Sequence, residues 1–157
     1  MPGSIYHSPI GNLLLEADDK ALVALRFDDG ATAGLVDLPA SSSVIDIARR
    51  WLDSYFAGQR PVSLPPIRLV GTPFCRLVWQ ELTTVPYGQT VSYGELGRRV
   101  GCRSAQAVGR AVGRNPIAII VPCHRVVGAD GSLTGYAYGL DRKRSLLQLE
   151  GYMNLHR

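Results

Sequence analysis

Between Arg60 and Pro73 the chain reads "RPVSLPPIRLVGTP", with four prolines and one glycine. Proline lacks an N–H to donate and fixes φ, so neither a helix interior nor a central strand runs through such a stretch. The segment is expected to be a connector, and it splits the chain near residue 70. An N-terminal domain would cover residues 1–70, with the connector at its end, and a second domain residues 71–157. The whole has 157 residues, with 46% hydrophobic and 19% charged. That is enough apolar material for a packed core and too little charge for a disordered chain.

Hydrophobic spacing differs on the two sides of the connector. "SIYHSPIGNLLLEADDKALVALRFDD" contains short β-type runs separated by Pro9-Ile10-Gly11 and Asp18-Asp19-Lys20, the pattern of a meander. After the serines 41–43, Val44, Ile45, Ala48, Trp51, Leu52, Tyr55 and Phe56 fall on one face of a helix that Gly58 closes. Past the connector the signals are helical. "FCRLVWQELTTV" predicts a helix with Phe74, Leu77, Val78 and Leu82 on one side, stopped by Pro86-Tyr87-Gly88. Ser92 and Glu95 have capping-box spacing, so a helix is expected from Tyr93 to about Val100. A second helix is expected over roughly Arg103 to Gly113. Two short helices about a tight turn form a helix-turn-helix, a unit that binds DNA in some proteins and never touches it in others. The expected fold class is therefore mixed α/β (α+β): a small β-meander-plus-helix domain, then a mostly helical domain with a helix-turn-helix.

The second of those helices, "SAQAVGRAVGR", is unusual. Glycines in a helix interior cost about 1 kcal/mol each relative to alanine, and close approach by another backbone is the usual compensation. Ala105, Val108 and Val112 are expected on the core face, with Gln106, Gly109, Arg110 and Gly113 on the other. That smooth outer face suits either a narrow groove or tight packing against another helix of the same protein. Charge bears on the choice. Residues 1–70 hold 6 Lys+Arg against 8 Asp+Glu, and residues 71–157 hold 11 against 5, nearly all of the base being arginine. Arginine suits phosphate contact, although a merely basic soluble surface fits the same count.

"IAIIV" (117–121) reads as a short buried strand that delivers Pro122, Cys123 and His124. The pair is either a buried inert thiol beside an imidazole or a nucleophile and its base. A free thiol is mostly protonated at neutral pH, and a histidine oriented by a carboxylate relieves this. On a strand, neighbouring side chains point apart, so a water would have to bridge the two. The acids after the cysteine are Asp130, Asp141 and Glu150. Asp141 is expected to cap a last helix, "RKRSLLQLE", that ends at Gly151. Three cysteines (75, 102, 123) and three histidines (7, 124, 156), without paired spacing, predict neither a disulfide framework nor a structural zinc site, and point to a reducing cytoplasm. No apolar run approaches the ~20 residues of a membrane span, and no secretory signal is expected at the N-terminus.

"NPIAIIVPCHRVVGADGSLTGYAYGLDRKRSLLQLEG", with "VPYGQTVSYGEL" and "SAQAVGRAVGRNP" before it, resembles the O6-alkylguanine-DNA alkyltransferases. The resemblance is continuous from about Thr72 to Gly151. Ser8-Pro9-Ile10-Gly11 and Tyr55-Phe56-Ala57-Gly58 carry a looser likeness in the first domain, which would then be ribonuclease H-like. The resemblance implies a single-turnover methyltransferase that moves the alkyl group of O6-alkylguanine, with O4-alkylthymine as a second candidate substrate, irreversibly onto Cys123. It implies His124 as base through a water, Glu150 orienting it, Asn115 bracing the turn, and Tyr93 giving a proton to guanine N3. Val126 and Cys123 would accept from the exocyclic amine through their carbonyls. Tyr136 would wall the pocket, Ala137 would offer an amide near O6, and Tyr138 would limit adduct size. Arg103, Ala105, Gln106, Gly109 and Arg110 would meet double-stranded DNA in the minor groove. No cofactor, metal, membrane or obligate protein partner is implied, and the protein would act as a cytoplasmic monomer. One position departs from the family, which usually has arginine where Gln106 stands. Weaker DNA binding or less efficient nucleotide flipping is expected, with Arg110 one turn on as a partial substitute. That departure keeps a DNA-binding damage sensor and a self-labelling tag variant open, and the Cys-His-acid set leaves a cysteine hydrolase open.

Overall fold

The computed structural model describes residues 3–29 and 43–152. Ser41, Ser42 and His156 lie outside the described residues. The chain divides into two compact units, one of residues 1–70 with 116–118, the other of residues 71–115 with 119–157.

In the first unit β1 (Gly3–Ser8), β2 (Gly11–Ala17) and β3 (Leu22–Phe27) form an antiparallel sheet in the order β1-β2-β3. The register is Ile5 opposite Leu14 and Leu15 opposite Leu25, with a bulge at Glu16/Ala17. Helix α1 (Ser43–Phe56) lies against all three strands and buries Val44, Ile45, Ala48, Leu52 and Tyr55, five of the seven residues on the expected face. The proline-rich stretch is more than a connector. Ile67 bridges Leu22 in parallel, with Leu22 N donating to Pro66 O at 2.8 Å and Arg68 N to Leu22 O at 2.9 Å. Prolines suit this place because a one-sided edge asks for few N–H donors. Residues 116–118 join the same sheet, Ile117 bridging Leu25.

The second unit opens with α2 (Pro73–Leu82), capped by the Thr72 hydroxyl. Its buried face is Cys75, Val78, Trp79 and Leu82, whereas Leu77 is 45% exposed. The expected face was thus about one residue out of phase: Trp79 has the most surface to bury, and its indole N–H reaches Ala111 O at 2.8 Å. Next come β4 (Val91–Ser92), α3 (Tyr93–Arg99) and α4 (Ala105–Gly113). Helix α3 starts at Tyr93 as expected, with the Ser92 hydroxyl accepting from Glu95 N. The Glu95 carboxylate does not return the bond and pairs with Arg98 and Arg99 instead. Helix α4 begins two residues later than expected, because Ser104 rather than an arginine can accept from Ala107 N. The α3–α4 approach requires Gly97, where a Cβ would sit 2.7 Å from Cys102 O, and Gly101 turns the chain at φ 71°.

Residues 117–121 form no strand. They are buried, but Ile119 takes φ 70° and the chain turns there. A short 3-10 turn then holds Cys123–Arg125, followed by β5 (Val126–Val127), which pairs in parallel with β4. Helix α5 (Leu140–Leu149) closes the unit. Its N-cap is Gly139, with Asp141 in the first turn rather than at the cap.

Candidate active site

Three local decisions place Cys123. The turn at Ile119 puts a β-branched residue in the left-handed region, a conformation of order 1–3 kcal/mol uphill that surrounding structure must over-determine. The Asn115 amide does part of this, donating to Val121 O at 2.8 Å. The turn itself is closed by Cys123 N to Val121 O at 2.8 Å and Arg125 N to Pro122 O at 3.0 Å. Because Cys123 and His124 lie on this tight turn, they do not alternate as they would on a strand, and both are buried.

The acid that the sequence left open is Glu150, at the C-cap of α5. His124 Nε2 stands 2.6 Å from Glu150 Oε2. Arg125 donates through Nε to Oε1 at 2.8 Å and through its terminal nitrogen to Oε2 at 3.0 Å, and the Gly88 amide adds a bond at 3.2 Å. Arg125 also reaches Val85 O at 2.7 Å. Burial alone would raise the Glu150 pKa; the charges and hydrogen bonds of His124 and Arg125 outweigh it and hold the carboxyl well below its usual range. An ionised carboxylate only accepts, so the proton between the two belongs to His124 Nε2. That leaves Nδ1 as the acceptor, and it makes no hydrogen bond with any other described group. Burial depresses the imidazole's pKa despite Glu150, so His124 rests neutral.

The thiol sits in a cavity of about 130 Å³ lined by Tyr93, Gly109, Gly113, Asn115, Tyr136 and Tyr138, among others. Burial pushes the Cys123 thiol up, opposed by a hydrogen bond from Asn115 and by the charge of Lys143. The β4–β5 pairing sets Ser92 opposite Val127 and thereby brings Tyr93, the first residue of α3, to the cavity. Its hydroxyl donates to Thr134 O at 3.1 Å, and burial raises its pKa. Ala137 lines the same cavity, between Tyr136 and Tyr138, whose rings meet edge to face at 5.7 Å. Val126 follows the turn as the first residue of β5.

Of the residues expected at DNA, Gly109 lines the active cavity, while Arg103 and Ala105 line a broader groove of about 550 Å³ between α3 and α4. Gln106 and Arg110 are exposed on α4. Ala105 is exposed and not in the core; Ala111 takes its place beside Val108 and Val112, because Ala105 belongs to the first turn. A Cβ added at Gly109 or Gly113 would meet nothing within 4 Å. Tight packing against another part of this chain therefore does not account for those glycines.

The two sequence segments match one family. Residues 73–152 fit "6-O-methylguanine DNA methyltransferase, DNA binding domain", and residues 3–69 fit "6-O-methylguanine DNA methyltransferase, ribonuclease-like domain". The chain belongs to the 6-O-methylguanine DNA methyltransferase family. A methylated-DNA–protein-cysteine methyltransferase of Methanosarcina acetivorans is 44% identical over 153 residues, covering 94% of this chain and 97% of the relative. One from Mycobacterium leprae is 46% identical over 151 residues, covering 94% and 91%. Among solved structures, Mycobacterium tuberculosis OGT in complex with DNA is 44% identical, with a TM-score of 0.84 over 94% of this chain and 91% of that one. An O6-methylguanine DNA methyltransferase from Methanococcus jannaschii, 25% identical, gives 0.68 over 98% and 96%.

Sequence reasoning missed one residue that supports the wall of the methyltransferase cavity at Gly135. Lys143, on α5, is 0% exposed and donates to the carbonyls of Thr134 and Gly135. A signal existed: the chain has two lysines, Lys20 and Lys143, and otherwise uses arginine.

Proposed function

We infer that the protein repairs DNA by moving the alkyl group of O6-alkylguanine onto Cys123, once per molecule. The observation that carries this reading is the buried relay beside the thiol: a neutral His124 with a free Nδ1 lone pair, its other nitrogen held by an ionised Glu150. Through a water, Nδ1 takes the thiol proton, and Glu150 stabilises the imidazolium that results. The sulfur attacks the alkyl carbon, the C–S bond forms, and the C–O6 bond breaks with its electron pair passing to the purine. Tyr93 gives a proton to N3, so guanine leaves neutral and the thiol's proton replaces the one lost. The product is a thioether, which the relay has no means of cleaving, so each molecule reacts once.

Asn115 braces the turn, and the carbonyls of Cys123 and Val126 accept from the exocyclic amine. Tyr136 walls the pocket, Ala137 supplies an amide toward O6, and Tyr138 limits adduct size. A base in a duplex is out of reach of this cavity, so the nucleotide rotates out through the minor groove. The unpacked glycine face of α4, with Arg103, Ala105, Gln106 and Arg110, lies on the groove. The second unit thus carries both DNA binding and transfer. The protein acts as a monomer in the cytoplasm, a setting that suits three free cysteines. A non-catalytic damage sensor has no need of a nucleophile at position 123.

The test is direct. The protein is incubated with a duplex containing O6-methylguanine, then digested and weighed. One methyl on the Cys123 peptide is expected, and Cys123→Ser should abolish it. Continued turnover, or transfer by the serine variant, contradicts the reading.

A further inference from the structure

Lys143 is a fully buried cation whose hydrogen-bond partners among the described residues are two carbonyls and no carboxylate. Its Nζ donates to Thr134 O at 3.1 Å and Gly135 O at 2.9 Å and stands 6.0 Å from the centre of the Tyr93 ring. Tyr93 OH donates to the same Thr134 carbonyl. Two carbonyls and a ring face orient an ammonium but do not neutralise it, and an unpaired buried charge is costly. The charged and titratable groups facing it can be named from each element. Glu150, on the same helix, is committed to His124 and Arg125. From the turn come His124, which rests neutral, and Cys123; from α3 comes Tyr93, whose proton is held. Gly135, whose carbonyl Lys143 holds, and Tyr93, whose ring it approaches, both line the cavity that contains the Cys123 thiol and the Tyr136 phenol. Burial keeps the Tyr136 proton in place, and the Cys123 thiol and Lys143 each bias the ionisation of the other.

We propose that Lys143 is a positioning residue for alkyl transfer, its ammonium tying the 134–135 segment beneath Tyr93 and supplying the positive charge against which the Cys123 anion forms. This rests on the alkyl-transfer reading above. It also explains the choice of lysine in an arginine-rich chain. A compact ammonium fits two converging carbonyls, and burial brings its pKa down to about 8, whereas a guanidinium stays charged throughout. Arg125 and Glu150 cancel, so Lys143 supplies the net charge at the nucleophile. Once Cys123 is a thioether, no anion can form there to hold the Lys143 proton, and that proton becomes easier to remove.

The experiment uses the whole chain labelled with 13C at lysine Cε, which gives two NMR signals, from Lys20 and Lys143. Both are titrated before and after reaction with an O6-methylguanine duplex, and the Cys123 peptide is weighed from the same sample. A fall of ~1 unit or more in the Lys143 midpoint on methylation, with Lys20 unmoved, is expected. An unchanged midpoint in a sample whose peptide carries the methyl overturns the proposal. If no methyl is found, the alkyl-transfer reading fails separately, and the midpoints in the unmodified protein and in Cys123→Ser settle the Lys143–Cys123 coupling. In parallel, Lys143→Met should slow transfer about tenfold at neutral pH and move the pH–rate profile to the alkaline side; Lys143→Arg, which keeps the charge but not the fit, should restore the profile and not the full rate. A uniform loss at every pH would mark a purely structural lysine and count against the proposal. Should Lys143→Met fail to fold, the NMR titration decides.

Discussion

At the scale of single residues the site holds one balanced ion pair, Arg125 with Glu150, and one cation, Lys143, held by carbonyls. Glu150 is shared by His124 and Arg125, all three buried. Glu150→Gln leaves the Arg125 guanidinium without its counter-charge, and breaking such a pair should cost about 3–5 kcal/mol of stability, read from denaturant unfolding. The pH dependence follows from the same contacts. His124 has a folded pKa below the ordinary imidazole value of 6.5, and Glu150 one below the ordinary carboxyl value of 4.5. In both cases the unfolded chain binds the proton first as pH falls, so both contributions are complete at pH 7 and lost on acidification. The melting temperature should therefore begin to drop near pH 6.5, well above the carboxylate range, and fall further below pH 4.5. His124→Gln should remove the first step. A melting temperature flat down to pH 5 in the unsubstituted protein would contradict this. Cys123 and His124 were legible in the sequence as a possible pair. The acid was not legible from spacing, which left three open; the family resemblance gave Glu150, and the end of α5 brings it to the imidazole. Lys143 escaped because a lysine between arginines on a helix ordinarily reads as solvated surface.

At the scale of elements, one cap was legible, at Ser92, while the caps of α4 and α5 and the backbone strain were not. Ser92 fixed the start of α3, whereas the apolar run 117–121 gave no hint of a left-handed Ile119, since burial in a turn and burial in a strand demand the same side chains. Helix α4 shows how a local cost can mark a surface. Gly109→Ala puts a methyl into open space and should raise the unfolding free energy by about 1 kcal/mol. If the bare face serves DNA, the same substitution should weaken binding to duplex DNA. Stability and affinity then move in opposite directions, measured by thermal unfolding and by fluorescence anisotropy. A variant that is more stable and binds equally well would show that nothing presses on this face. Gln106 is exposed on the same helix, where a longer cation meets no packing obstacle. Gln106→Arg should raise the rate on O6-methylguanine in duplex DNA while leaving reaction with the free alkylated base almost unaltered. Equal rates on duplex DNA for both proteins would make Gln106 neutral.

At the scale of the whole molecule, the proline-rich stretch was read as a boundary near residue 70, but the two compact units are not each one continuous piece of chain. Residues 116–118 return to the first unit: Leu25 N donates to Pro116 O at 2.9 Å and Ala118 N to Leu25 O at 2.8 Å, with Ile117 fully buried. Nothing in "NPIAIIV" distinguishes the three residues 116–118 that serve one unit from the three that follow and serve the other, because all six are apolar. The return matters to the chemistry. Asn115 lies immediately before those residues and the Ile119 turn immediately after, so the anchored segment is flanked by the two features that set Cys123. A fragment of residues 71–157 would lose both backbone hydrogen bonds, at about 1 kcal/mol each, and would expose Ile117, at a further ~1.5–3 kcal/mol. Against a typical total of about 5–15 kcal/mol, that loss is large. The fragment should therefore melt well below the full chain and transfer methyl groups poorly. Adding residues 1–70 as a separate chain should recover part of both, because the bonds at Leu25 can re-form without a covalent link. If instead the fragment melts with the full chain and transfers at the same rate, the three returning residues are dispensable and the active turn is held from within its own unit.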